Sequence, residues 1–472
     1  MPVNTPHPVY SKQAKKWNLV RHVIDNDLAD SKLMPDVDPN DAARSLKYKN
    51  GGVLTNFTKL TLNGLIGLVF RKESTVELPD ALEYLEDDAT GDNVSLEMLL
   101  QQVMMEILKT GRCGLMAELP QSDPDGDDVG QEKLSYVKMY TSESIINWRY
   151  KPAGNSRILS LVVLQEMIDV IIDPNDIFTV IQRPQYRVLR LDENGYYIQE
   201  VYNYELLKES VVMPEDYNGK PFTEIPFVFI GSESNDANCD PIPLYDLAIL
   251  NFAHFRNSCD FEESVFVCGQ PCLFLTTDID EAEFKLANPN GIRYGSRTAH
   301  NIGPNSQPWL LQASPNQLAD AAMARKEEMA IALGARFISN SSGRETAEAA
   351  RIRYGAQNSS LQIVTYNIAD GVNELLEYVA MFMMEIPEES IVTLNDEYYD
   401  DTANPLLIAQ QIMLLDRGVI GMKDIRDSLR DVGVIADSRT DEEVDSEVNV
   451  ADPMVGVNPV AGVKADGQPP KQ

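Results

Sequence analysis

Four histidines, five cysteines and a run of aspartates are the groups in this chain that offer chemistry, and their spacing builds no catalytic constellation. His7, His22, His254 and His300 are scattered. His254 falls inside a long helical stretch, where an imidazole held between helices or at an interface is expected rather than a catalytic base. His300 lies near Ser296 in a Gly-rich stretch, but a Ser–His nucleophile is not expected there. Asp123, Asp125, Asp127 and Asp128 look like a calcium loop, yet the glycine at the sixth position and the glutamate at the twelfth are missing, so an exposed acidic loop is the reading. Cys113, Cys239, Cys259, Cys268 and Cys272 are odd in number and irregular in spacing. That argues against a disulfide framework and for a reducing cytoplasm. Cys268 and Cys272 lack a second ligand pair for zinc.

Phosphate loops ending in Lys-Ser or Lys-Thr, HExxH and GxSxG are all absent. With 73 acidic residues, paired carboxylates are available, but nothing selects a pair. The expectation is a protein that is not an enzyme and needs no cofactor or metal. One short segment retains interest. Arg336 and Arg344 bracket Ser339-Asn340-Ser341-Ser342-Gly343, a polar break with a cation at each end. It fits either a loop facing nucleic acid or an ordinary connection between helices.

The 40 basic residues are far outnumbered by the acids, for a formal charge of -33. A protein that grips DNA through phosphates carries a basic face, and no basic run occurs here, so tight sequence-independent DNA binding is not expected. Acidic excess suits DNA that slides past without sticking, and it also suits plain solubility. Residues 1–10 are polar and punctuated by proline, with no secretion signal. The longest apolar runs, Leu65 to Phe70 and Tyr378 to Met384, are too short to cross a bilayer, so no membrane partner is expected.

These residues must be positioned by several structural units in 472 residues. Residues 1–56 read as an arm with one helix near Lys12 to Asp27. Residues 57–240 read as an α/β unit. It opens with an apolar helix, Phe57 to Phe70. A second helix is capped by Ser95, stopped by Gly111 and striped by Leu96, Leu99, Leu100, Val103, Ile107 and Leu108. Short β-rich runs follow at Leu134 to Tyr140, Ile158 to Gln165, Phe178 to Leu191, Tyr196 to Leu207 and Pro226 to Gly231. Asn194-Gly195 marks a hairpin.

A long helix is expected over 241–267, started by Asp240-Pro241 and striped by Leu244, Leu247, Ala248, Phe252, Phe255, Cys259 and Phe266. A second is expected over 314–337, with Ser314 to Gln317 in the form of a capping box and a stripe of Leu318, Ala321, Ala322, Met329, Ala332 and Leu333. Between them, 268–313 reads as a small α/β tip. After the break at 338–344, residues 345–400 read as a unit built on a long helix, Arg344 to Met384, ended by Pro387. Its stripe of Leu361, Val364, Ile368, Val372, Leu375, Val379 and Phe382 steps by three and four. Shorter helices occupy 401–448, and 449–472 reads as a mobile tail.

Five segments in this order resemble the portal-like family of tailed bacteriophages: Leu60 to Lys72, Leu108 to Pro120, Tyr140 to Arg149, Glu224 to Ser232 and Arg344 to Leu361. The resemblance implies an α+β portal fold with an α/β wing, a two-helix stem, a small α/β clip and a helical crown, assembled as a dodecameric ring. It implies a virion protein at one capsid vertex, assembled in the host cytoplasm, that passes double-stranded DNA without sequence preference. The partners implied are the terminase large subunit, the head–tail adaptor, and the major capsid and scaffolding proteins. On this basis Arg336, Ser339, Asn340, Ser341, Ser342 and Arg344 are expected at a tunnel loop. Charge clustering suggests that Arg256, Arg325 and Lys326 pair with Glu262, Glu263, Glu327 and Glu328 between neighbouring stems. The alternative is another head-completion or minor capsid protein.

Overall fold

The computed structural model describes residues 2–120, 133–171, 176, 178–269, 272–276, 278–289, 291, 305, 307–311, 317–334, 347–396, 398, 405–431, 435, 439–441 and 443–445. The chain divides into two compact units, Met1–Asp396 and Glu397–Gln472. The larger unit opens with helix α1, Pro8–Asp25, four residues earlier than the periodicity predicts. His7 caps it and Pro8 fills its first turn, where the missing N–H costs nothing. The indole of the fully buried Trp17 donates to the carbonyl of Thr110 at 2.8 Å. Helices α2, Ala42–Gly51, and α3, Phe57–Val69, follow, capped by the side chains of Asp41 and Asn56. After strand β1, Thr75–Glu77, and the single turn α4, Tyr84–Asp87, comes α5, Leu96–Thr110.

The cap and stop expected for α5 are both present. Ser95 Oγ accepts from the Met98 N–H at 3.2 Å, and Gly111 adopts φ 84°. A Cβ at Gly111 would lie 2.7 Å from the carbonyl oxygen of Asp240, so this stop admits no side chain.

Strands then dominate: β2, Arg112–Glu118; β3, Tyr136–Thr141; β4, Ile145–Ala153; β5, Ser156–Ile171; β6, Val180–Leu191; β7, Tyr197–Tyr202; β8, Lys208–Val212; and β9, Phe227–Gly231. They form two antiparallel sheets, one ordered β3-β2-β9 and the other a meander β4-β5-β6-β7-β8. The Asn194-Gly195 turn joins β6 to β7 as expected. A buried polar layer links the sheets. Glu166 of β5 accepts from Lys138, Tyr140, Gln185 and Arg187, and Arg187 also donates to Glu118 of β2 at 2.8 Å.

Helix α6, Tyr245–Gly269, leads to strand β10, Cys272–Thr276, helix α7, Glu281–Ala287, strand β11, Gln307–Leu311, and helix α8, Leu318–Ala332. Helix α9, Ala347–Met383, then runs against β9 and β2. Its predicted stripe is the core: Leu361, Val364, Ile368, Val372, Leu375, Val379 and Phe382 are all buried. At Gly371 the helix approaches so closely that a Cβ would sit 2.7 Å from Ile230 of β9. Strand β12, Ile391–Thr393, pairs antiparallel with β1. In the smaller unit, α10, Pro405–Asp416, packs on α11, Met422–Asp431.

Two helix starts differ from expectation. Helix α6 begins at Tyr245, because the Asp240 carboxylate caps a different structure: it accepts from the backbone N–H groups of Glu233 and Ser234 at 2.7 and 2.9 Å, folding the turn after β9. Helix α8 begins at Leu318, with Gln317 flanking it and making no side-chain cap; Ser314 to Asn316 lie outside the described residues. The run Arg112–Glu118, which is not among the β-rich runs read above, is the central strand of a sheet.

Candidate functional site

The segment without a role in the sheets is the helix pair α6 and α8 with its small tip. The 25 residues of α6 extend about 37 Å at 1.5 Å per residue. Its first half is fastened to the arm. Asn251, fully buried, accepts from the backbone N–H and the hydroxyl of Thr58 at 3.1 and 3.0 Å, and donates to the carbonyl of Thr55 at 2.9 Å. The Ser258 hydroxyl accepts from the Val53 N–H at 2.9 Å, and the Tyr48 hydroxyl donates to Asp260 at 2.6 Å. Helices α1, α2 and α3 pack against α6, and Leu247, Ala248, Phe255 and Cys259 of the predicted stripe are buried. The stripe fails at its far end, where Phe266 is 64% exposed.

Helix α8 packs along α6. Across the pair, His254 Nε2 lies 3.3 Å from Glu327 Oε1, with the ring of Phe57 edge-on at 5.8 Å. Burial lowers the pKa of His254 below its ordinary value, and the Glu327 carboxylate opposes that shift. This is the interhelical role expected of the residue.

Helix α8 turns the wrong way for its predicted stripe. Its fully buried residue is Ala330, while Leu318, Met329 and Leu333 are 77%, 48% and 50% exposed and Ala321 and Ala332 face solvent. Ala322 is the member of the stripe with intermediate exposure. These apolar side chains share one side of α8 with Arg325, and the described residues leave them largely uncovered.

The charged residues proposed for the stem divide in two. Glu263 already pairs with Arg44 at 3.4 Å, and Glu327 already faces His254, so a partner in another copy must compete with groups in the same chain. Arg256, Arg325 and Glu328 are exposed and Glu262 and Lys326 half-buried, and none of the five has a salt bridge among the described residues. Arg336, Ser339, Asn340, Ser341, Ser342 and Arg344 lie outside the described residues, as do Asp123, Asp125, Asp127, Asp128, Ser296 and His300.

At the tip, β10 and β11 form a two-stranded antiparallel sheet in which Phe274 stands directly opposite Trp309. Both rings belong to one face and are 54% and 60% exposed. Helix α7, capped by Asp280, lies between the strands in sequence. Cys113, Cys239 and Cys259 are free thiols. Among the described residues no three histidines, cysteines or carboxylates converge as a metal site would require, and no helix is long and apolar enough to cross a membrane.

Asn251 and Arg112 are the polar residues that sequence reasoning missed. Asn251 shows itself only as an amide on the apolar side of a helix. Arg112 gives no signal at all: it sits fully buried in β2 against the ring of Trp148, its guanidinium carbon 4.1 Å from the ring centre.

Residues 243–383, from just before α6 to the end of α9, match a family described as a domain of unknown function, DUF4055. No curated protein matches the chain. Among solved structures, the chain is similar to a component of the virion of the native gene transfer agent (GTA) particle, with 13% identity, a TM-score of 0.40, and coverage of 85% of this chain and 95% of that one. It is similar to a component of the neck of the native GTA particle in C12 symmetry, at 11% identity and a TM-score of 0.40, covering 87% and 98% of the two chains. A component of the neck of the empty GTA particle in C6 symmetry gives 11% identity, a TM-score of 0.38, and 80% and 88% coverage. Likenesses this remote assign no role.

Proposed function

We propose that this chain is a portal subunit of a tailed bacteriophage or phage-like particle, a structural protein that forms a ring around a DNA channel. The observation that carries the reading is the α6–tip–α8 arrangement: two helices packed along each other, joined through a small strand pair, with Leu318, Met329 and Leu333 on the outer side of α8 left largely uncovered by the described residues. Five ordered sequence segments resembling portal-like proteins support it.

In this reading residues 1–56 are the arm, and 57–240 with 345–400 are the wing. Residues 241–267 and 314–337 are the stem, 268–313 the clip, 338–344 the tunnel loop, 401–448 the crown and 449–472 the tail. The ring is a dodecamer at one capsid vertex. The exposed Phe274–Trp309 pair on the clip is the anchor for the terminase large subunit during packaging and then for the head–tail adaptor. The acidic balance of the chain keeps phosphates from adhering to the channel wall.

Negative-stain microscopy and light scattering of the purified full-length protein test the proposal together. Rings with a central hole, and a mass that is a multiple of 52.7 kDa, are expected. A single-chain mass at micromolar concentration, with no rings on the grid, would overturn it.

A further inference from the structure

The N-terminal residues before α1 cross the outer sheet in a defined path. Thr5 bends back on Pro2, its N–H and hydroxyl both donating to the Pro2 carbonyl at 3.1 and 2.7 Å. The side-chain amide of Asn147 donates to the Thr5 carbonyl at 2.9 Å, and the His7 N–H donates to the carbonyl of Ile146 at 2.8 Å, both on β4. Val3 packs on a buried cluster of Ile146, Val163, Tyr186 and Val188, contributed by β4, β5 and β6. Residues Val3 to His7 therefore act as a cover over an apolar patch of that sheet.

The cover ends on a titratable ring whose geometry requires it to be neutral. His7 is the N-cap of α1, and its Nδ1 accepts from the Val9 N–H at 3.3 Å. A proton on Nδ1 removes that acceptor and places a cation at the positive end of a helix. The same ring stacks on Trp148 with centroids 4.2 Å apart, and the Trp148 ring also contacts the guanidinium of Arg112. Arg112 has no salt bridge among the described residues, and its Nε and Nη2 have no hydrogen-bond partner. The surrounding carboxylates give no compensation. Glu106 of α5 and Glu143 of the β3–β4 turn are both engaged by Arg21, each at 2.5 Å, and Tyr10 of α1 donates its hydroxyl to the Glu143 backbone.

We infer that residues Val3–His7 are a strap released from the sheet by protonation of His7, uncovering the apolar patch beneath. Burial and Arg112 hold the His7 pKa below its ordinary 6.5, which agrees in direction. Because the docked strap holds the proton less tightly, docking is at full strength above about pH 6.5. It weakens by about tenfold per pH unit as the pH falls below that, until the docked ring itself titrates. The device does not depend on ring formation.

Hydrogen exchange of the full-length protein at pH 7.5, 6.0 and 5.0, corrected for intrinsic rates, tests it. Protection of residues 3–10 is expected to fall by up to about thirtyfold by pH 5 in the wild type, while β5 and α9 stay protected. His7→Asn keeps a capping side chain without a titrating ring, so its strap is expected to hold its protection at pH 5. Equal loss of protection in both proteins, or none in the wild type, overturns the inference. If His7→Asn already lacks the strap at pH 7.5, the wild-type profile decides alone: a slope of about one proton in the strap supports release, and a flat profile refutes it.

Discussion

Met329 and Leu333 stand one helical turn apart on the outer side of α8, about half of each exposed in the single chain. Replacing both with glutamate should therefore leave the fold intact and abolish assembly. Each side chain has on the order of 90 Å2 left to bury, which at about 25 cal/mol per Å2 is worth roughly 2 kcal/mol. Together they contribute about 4–5 kcal/mol to each contact between neighbours, or roughly a thousandfold in its equilibrium constant. Two new carboxylates on an already acidic chain add repulsion. The assay is size-exclusion chromatography with light scattering across a concentration series, run beside urea unfolding. The double variant should elute as a single chain, with a stability within about 0.5 kcal/mol of the wild-type chain under dissociating conditions. Superimposable elution profiles for variant and wild type would refute the assignment of this face to assembly. A stability loss above about 2 kcal/mol would refute it differently, by showing that the residues are packed within their own chain.

Asn251→Leu should destabilise the chain by about 1–3 kcal/mol, because the buried Thr58 N–H loses its acceptor; the urea midpoint measures it, and protease sensitivity near 52–57 localises it. Glu166 has its pKa lowered to about 2 from 4.5, burial opposing and Arg187 and Lys138 prevailing, so its contribution is present above about pH 4.5 and is lost as the pH falls toward 2. Glu166→Gln should therefore flatten the acid limb of the stability profile by roughly 2–3 kcal/mol; an unchanged acid midpoint would count against the polar layer between the sheets. Assembly of the wild-type protein should strengthen between about 0.05 and 0.5 M salt, since screening shortens the reach of like-charge repulsion; analytical ultracentrifugation that shows rings dissociating as salt rises would favour contacts made chiefly of ion pairs.

Where the sequence reading succeeded, one periodicity decided the matter. The stripe of α9 steps by three and four, and every residue in it is buried. Ser95 and Gly111 bound α5 because a cap oxygen and a left-handed stop are local requirements. The β2 run, Arg-Cys-Gly-Leu-Met-Ala-Glu, went unread because a strand buried on both faces does not alternate, and it joins directly to a helix. Asp240-Pro241 failed because a capping carboxylate can serve any nearby turn, and here it serves residues 233 and 234. The pairing of Glu263 with Arg44, 219 positions away, has no trace in local pattern. The α8 stripe is the instructive case. Its members lie largely exposed among the described residues, because periodicity cannot distinguish a face that packs within the chain from one that does not.

If copies assemble as proposed, the outer side of α8 also decides between the two kinds of contact available along α6 and α8. Exposed ion pairs contribute about 0–1 kcal/mol each, and they weaken with salt. Of the charges grouped on the stem, Glu263 and Glu327 already have groups in their own chain to satisfy. That leaves the cations Arg256, Arg325 and Lys326, with Glu262 and Glu328, to pair between copies. Against these, Met329 and Leu333 alone offer about 4–5 kcal/mol, and Leu318 lies on the same helix. In the proposed ring of copies that each carry -33, an attraction that acts only at contact and does not depend on charge would be the larger driving force. The arginines and acids are then left to select the register in which neighbouring helices meet, because a slip that sets like charges face to face is costly even when the apolar area is unchanged.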